Sequence, residues 1–344
     1  MEQERVRIAD IAEELGVSTA TVSNVIHGKT QKISAETVRR VEMLLEKRQY
    51  IPSMAGILLA QNASKIIGVA INRHDKYEHH VLQDPFISES LDCLEREITA
   101  QHCFMMVKCT PDPAEIVRFG SMWNMEGMIV LGFCGEDYEM LRAKMHIPFV
   151  VYDGYAARVE NYCNLSVDDF SGGYQMGEYL WKLGHRKILF LADNDICMDH
   201  QRYCGLCAAL QKAGCAAPEH AEIPLRRAAR LAYYEANLPS ILQYTAVFAA
   251  SDAYAIELMN FLTDHGVQVP QQISVAGFDG IPESAVVRPA LTTIRQDGGV
   301  RAHLALALLR QEKAGTAQYG TSLLPVGLQI GSSTAPLRGN PAQK

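Results

Sequence analysis

Residues 8–28 read IADIAEELGVSTATVSNVIHG, and residues 33–53 read ISAETVRRVEMLLEKRQYIPS. Ile8, Ile11, Ala12 and Leu15 recur at i, i+3, i+4 and i+7, which is one face of a helix. Gly16 stops that helix, and Ser18 is a good N-cap for the next. Val22, Val25 and Ile26 give the second helix a buried stripe that ends at Gly28. Ser34 caps a third helix with Val38, Val41 and Leu45 inward, and Pro52 closes the unit. The spacing predicts three short helices over residues 6–50. A small residue at the crossing (Ala12) and a turn glycine (Gly16) are what a helix-turn-helix needs.

The outer face of the second helix carries a different set. With Val22 at the origin and about 100° per residue, Ala20 falls near 160°, His27 near 140° and Asn24 near 200°. All three point away from the core. Thr19, Ala20 and Asn24 lie early on the helix, where base edges would be read. Asparagine pairs bidentately with adenine, and an alanine or threonine methyl contacts the thymine methyl. Thr21, Ser23 and the N-terminal amides of the helix suit phosphates. Residues 1–63 hold eight Lys/Arg and eight Asp/Glu, but six of those cations fall within residues 29–48.

Residues 52–64 separate this unit from the remainder. Their core, MAGILLA, is shorter than the ~12 residues an isolated helix needs in water, so it should order only when docked. From Lys65 the texture changes to apolar strand-like runs: 66–71, 103–108, 128–133, 148–153, 187–192, 246–251 and 273–279. Amphipathic stretches such as FISESLDCLEREITA lie between them. That alternation predicts βαβ units and parallel sheets, and the length suggests two α/β lobes. The ends RGNPAQK (338–344) read as a short disordered tail.

The 344 residues are 48% apolar and 21% charged, the mix of a globular protein, with a net charge of −7. That charge argues against indiscriminate coating of nucleic acid, and not against a small DNA-binding module on an acidic body. The opening residues lack the apolar core of a signal peptide, and no apolar run approaches ~18 residues. A cytoplasmic protein with no membrane partner is the expectation. The nine cysteines are odd in number and scattered, as free thiols would be. Cys197, Cys204, Cys207 and Cys215 with His200 lack a second CxxC, so packing is expected rather than metal or redox chemistry. His79 and His80 lie in a polar loop. GxSxG, Walker and HExxH patterns are absent, so neither enzyme activity nor a cofactor or metal is expected.

The stretch GVSTATVSNV and the ordered motifs that follow it resemble lac-repressor-type (LacI/GalR) transcription regulators. The later matches are LGHRKILFLAD, HQRYCGLCAALQKAG, FAASDAYAIELMNFLTDHGVQVPQQISVAGFD and RPALTTIRQD. The resemblance implies an all-α helix-turn-helix headpiece (1–51) and a hinge helix (52–64). It also implies a two-lobed, periplasmic-binding-protein-like α/β body with parallel sheets (65–337). Lobe 1 would take about 65–165 and 292–322, and lobe 2 about 166–291 and 323–337. In the hinge, Leu59 falls at the position that wedges a minor-groove base step, with Ala55 and Gly56 at the close-approach positions. Gly331 stands where an arginine is common, and the loop 72–83 is longer than in many relatives.

Polar residues at strand ends form the expected effector site: Asp153, Ser251, Asp252 and Asp279, with Arg202 opening a helix and Phe86 as an aromatic wall. By resemblance, Arg202 matches the effector-binding arginine of RxxG and Asp279 the aspartate of GFD. Carboxylates accept from hydroxyl groups and arginine donates a fork, which suits a polyhydroxylated or heterocyclic ligand. The expectation is a homodimer on a pseudo-palindromic double-stranded operator. A small-molecule effector, a sugar in the commoner case, would shift operator affinity by population shift. A purine-type corepressor is the alternative, and a solute-binding protein without a regulatory role the remoter one.

Overall fold

The computed structural model describes residues 6–52, 64–133, 135–154 and 159–337. The chain divides into two compact units, Met1–Ser64 and Lys65–Lys344.

The first unit holds α1 (Ile8–Leu15), α2 (Thr19–Ile26) and α3 (Ala35–Lys47). The caps follow the sequence. Gly16 ends α1 in the left-handed conformation at φ 67°. Ser18 Oγ accepts from the Thr21 amide at 3.1 Å, and Ser34 Oγ from the Thr37 amide at 3.2 Å. Ile11, Ala12, Val22, Val25, Val41 and Leu44 form the core. Leu45, expected inward, is only partly buried beside Leu44.

The second unit contains two six-stranded sheets. The first runs β11 (Gly320–Leu324), β5 (Cys163–Val167), β4 (Phe149–Tyr152), β3 (Gly127–Leu131), β1 (Ile66–Ile71), β2 (Phe104–Cys109), all parallel. The second runs β12 (Gly327–Gln329), β10 (Thr292–Arg295), β9 (Ser274–Asp279), β8 (Ala246–Ala249), β6 (Ile188–Ala192), β7 (Glu219–Glu222). It is parallel except for β12 against β10. Helices cover both faces: α4 (Pro85–Ala100), α5 (Pro113–Met122), α6 (Gly135–Lys144), α7 (Asp169–Lys182), α8 (Cys197–Lys212), α9 (Arg227–Ile241), α10 (Asp252–Asp264), α11 (Glu283–Val286) and α12 (Gly298–Lys313). On β1, Ile67, Val69 and Ile71 enter one core while Ile66 and Ala70 enter another, so the sheet is buried on both faces.

The chain passes between the lobes three times: from β5 into α7, from β10 into α12, and from β11 into β12. The second crossing therefore falls at residues 296–297 and not before residue 292. β10 pairs with β9 and completes the lobe 2 sheet. β5, β7, β10, β11 and β12 fall outside the runs expected from sequence. Gly331, in place of an arginine, has a steric reason: a Cβ there would lie 2.4 Å from the Ala290 carbonyl oxygen.

Candidate DNA-reading helix and ligand cleft

In the first unit, Thr19, Ala20 and Asn24 are exposed on α2, opposite the buried Val22 and Val25. Thr21, Ser23 and His27 are half-buried at its margins. The Thr21 hydroxyl is tied to Ser18 Oγ at 2.9 Å, so it stiffens the helix start. Two of the clustered cations serve the fold. Arg40 donates to the Leu15 carbonyl at 3.1 Å, and Arg48 pairs with Glu14 at 2.5 Å. Lys29, Lys32 and Arg39 are exposed. Ala55, Gly56 and Leu59 lie outside the described residues.

In the body, strand ends bring two charged walls together. On lobe 2, Arg202 is 5% exposed. Its Nε donates to Asp169 at 2.8 Å and its Nη1 to the Ala250 carbonyl at 2.5 Å. Asp279 lies 3.6 Å and Asp199 3.9 Å from the same Nη1. The guanidinium also lies 3.7 Å over the Phe278 ring. The helix bearing Arg202 is fixed by backbone contact. A Cβ on Gly205 would sit 2.0 Å from the Phe170 carbonyl oxygen, so α8 packs against α7 only because that residue is glycine.

On lobe 1, Asp153 follows β4 with φ 65° and pairs with Arg301 at 2.5 Å. Arg301 is 1% exposed, 4.3 Å over the Tyr152 ring and 5.5 Å from Phe86. Its Nη1 donates to Gln296 Oε1 at 2.7 Å, and Gln296 Nε2 donates to Asp279 at 3.0 Å. The network thus runs from Asp153 through the crossing to Asp279 and Arg202. Sequence reading missed Arg301, Gln296 and Asp169. The signal for Arg301 was a charge on the same stripe of α12 as buried Ala305 and Leu308, which demands a partner.

Electrostatics fit this picture. Burial pushes Asp169 and Asp199 up to about 6, against the pull of Arg202. Asp153 adds to the rise at Asp169 across the cleft. Burial raises Asp279 well above its ordinary value, Arg202 opposes, and Asp252, Asp84 and Asp153 reinforce the rise. Lys76, on the loop 72–83, is held protonated: desolvation works against it, but Tyr77, Tyr254, Asp193 and Asp199 prevail. Nearby, Glu78 accepts from the Arg227 amide at 3.1 Å. That amide opens α9, whose N-cap Arg226 makes no side-chain cap, so a lobe 1 carboxylate caps a lobe 2 helix.

The other two expected residues sit differently. Ser251 caps α10, accepting from the Tyr254 amide at 3.3 Å. Asp252 has no exposed surface. Thr293 donates to its Oδ1 at 2.5 Å, and the Gly280 and Ile281 amides donate to its Oδ2 at 2.8 and 3.0 Å. It braces the loop after Asp279. A separate cavity of about 570 Å³ lies at the crossings, lined by Arg295, Gln296, Leu324 and Pro325 among others.

A helix-turn-helix unit followed in the chain by a two-lobed body with a charged cleft is the build of a DNA-binding transcription regulator. The lacI-family profile of bacterial regulatory proteins matches residues 7–53, and a periplasmic binding protein-like domain matches residues 178–334. The chain therefore has the build of a LacI/GalR-type regulator, a lacI-family DNA-binding domain followed by a periplasmic-binding-protein-like domain. The HTH-type transcriptional repressor PurR of Mannheimia succiniciproducens is 28% identical over 323 residues, 88% of this chain and 90% of that one. PurR of Pectobacterium carotovorum is 29% identical over 300 residues, 84% and 85% of the two chains. The lac repressor dimer bound to operator and an anti-inducer superposes with a TM-score of 0.82 at 25% identity, covering 96% of this chain and all of that one. Among the described residues no helix is long and apolar enough to cross a membrane.

Proposed function

We propose that this repressor binds a pseudo-palindromic operator as a homodimer in the cytoplasm, and that a hydroxyl-rich small molecule, of sugar type, occupies the cleft between its lobes and sets operator affinity. The carrying observation is Arg202, a buried guanidinium whose Nε and Nη1 are engaged, flanked by Asp279 and facing the Asp153–Arg301 pair. Such a wall offers carboxylate oxygens to hydroxyl hydrogens and N–H groups to ring or hydroxyl oxygens. Phe86 supplies an apolar side through its place near Arg301. Thr19, Ala20 and Asn24 read base edges, with Thr21, Ser23 and His27 toward the backbone. Ala55, Gly56 and Leu59 form the hinge that enters the minor groove.

Asp252 and Ser251 act from behind, by holding the Asp279 loop and the start of α10. The dimer bound to operator in the lac repressor supports the two-fold arrangement. A ligand acts through its differential affinity for the two lobe arrangements, typically ~1–3 kcal/mol per site. The test is operator binding by wild type and Arg202→Lys across a panel of free sugars. The variant keeps the charge and loses the fork. It should retain operator affinity and lose the response.

A further inference from the structure

On the side of α8 away from Arg202, three side chains form a chain of contacts that the cleft does not use. Asp195, in the loop after β6, lies 2.9 Å from His200 Nδ1. His200 Nε2 lies 3.3 Å from Cys204 Sγ, one helical turn further on. We propose that Cys204 is a modification site for soft electrophiles of the α,β-unsaturated carbonyl class, with His200 as its base and Asp195 as the positioning residue.

The geometry dictates the roles. A carboxylate can only accept, so Asp195 fixes the proton on His200 Nδ1 and leaves the Nε2 lone pair facing the thiol. His220 Nδ1, from β7, approaches the same Asp195 oxygen at 3.8 Å. Asp195 and His200 are about half exposed, and Cys204 is half-buried, so a small reagent reaches the sulfur. Cys207 and Tyr203 lie on the same helix and contact each other, and both feel the charges of Asp195 and Cys204, but among the described hydrogen bonds neither joins to His200.

Burial, reinforced by Asp195, raises the Cys204 thiol above its ordinary value. The resting group is therefore a thiol, and attack needs proton removal in the same step. A thiolate formed from such a weak acid is also the stronger nucleophile. The sulfur electron pair forms a C–S bond to the β-carbon as the proton passes to His200 Nε2. The π pair moves onto the carbonyl as an enolate, and the imidazolium, held by Asp195, returns the proton to the α-carbon. Atoms and electrons balance without an oxidant. The adduct forms on the helix that carries Arg202.

N-ethylmaleimide at low stoichiometry on the full chain, read peptide by peptide by mass spectrometry, tests this. Cys103 and Cys109 are half-buried thiols also raised by burial, and among the described hydrogen bonds neither has an imidazole partner. Cys204 should label at least about tenfold faster than either, a threshold set below the roughly hundredfold that a positioned base supplies at its low end. His200→Gln, which keeps the shape and removes the base, should erase that lead and leave Cys103 and Cys109 unchanged. Asp195→Asn should reduce it partly. Labelling of Cys204 no faster than Cys103 overturns the proposal, and so does a lead that survives His200→Gln.

Discussion

Asp279 and Gln296 are joined by a 3.0 Å hydrogen bond, although one ends a strand of lobe 2 and the other lies on the crossing into lobe 1. Gln296 also accepts from Arg301, which holds Asp153. A ligand that takes an Asp279 oxygen therefore competes with the crossing itself. Under the proposed function, ligand binding and lobe geometry would share one set of hydrogen bonds, which would give a population shift its physical content.

Arg301→Ala should be severely destabilising. Arg301 is buried and neutralises Asp153 at 2.5 Å, so truncation strands a carboxylate. Breaking a buried pair from one side costs ~3–5 kcal/mol. The check is the urea midpoint of the full chain. A loss below ~1 kcal/mol would show that water already compensates Asp153.

The raised carboxylates set a pH dependence. Asp169 and Asp199 titrate near 6, and burial takes Asp252 to about 7. Their folded values exceed the ordinary 3.8, so the folded state holds these protons more tightly. The stability they contribute is full below that ordinary value and is lost as pH rises through about 6 to 7. Buried His185, lowered by desolvation, works in the opposite direction. Asp199→Asn isolates one carboxyl: wild type should lose more melting temperature than the variant between pH 5 and pH 8. Parallel curves would contradict the assignment.

Glu78→Ala removes the cross-lobe cap of α9. An exposed cap of this kind is worth ~1 kcal/mol, so amide exchange at the start of α9 should quicken roughly fivefold. Arg230, one turn in, is held separately by Glu257 at 2.7 Å and serves as the internal reference. Unchanged exchange at Arg227 would mean that the lobes do not rely on this contact.

The headpiece was the most legible part because its signals are local. Ser18, Ser34 and Gly16 act on their own helix ends, and the apolar spacing has one solution. In the sheets, central strands such as β1 and β9 were readable as continuous apolar runs. β7, with the sequence EHAE, and the exposed β11 and β12 are edge strands, so they lack that run. In the cleft, Arg202, Asp279 and Asp153 were legible as polar residues at strand or helix ends. Asp252 was equally polar at a strand end, yet its partners Thr293, Gly280 and Ile281 come from 28 or more residues away, which no local pattern reveals. Gln296 escaped for the same reason, because its value lies in joining two lobes.

Asn24→Ala should weaken binding selectively. A bidentate base contact is worth ~1–3 kcal/mol of discrimination, so the loss should appear at one base pair of each half-site. Anisotropy titrations on operator variants check this at fixed salt, since phosphate contacts vary with salt. Equal losses on operator and random DNA would make Asn24 a backbone contact.

The most direct measurement is fluorescence anisotropy of the full chain on its own promoter fragment against scrambled competitor, with and without each sugar of the panel, for wild type and Arg202→Lys. The account predicts a strong preference for the promoter fragment, a change in wild-type affinity with at least one sugar, and the same preference without that change in the variant. Equal binding to promoter and scrambled DNA under every condition, or an unaltered sugar response in Arg202→Lys, would contradict it.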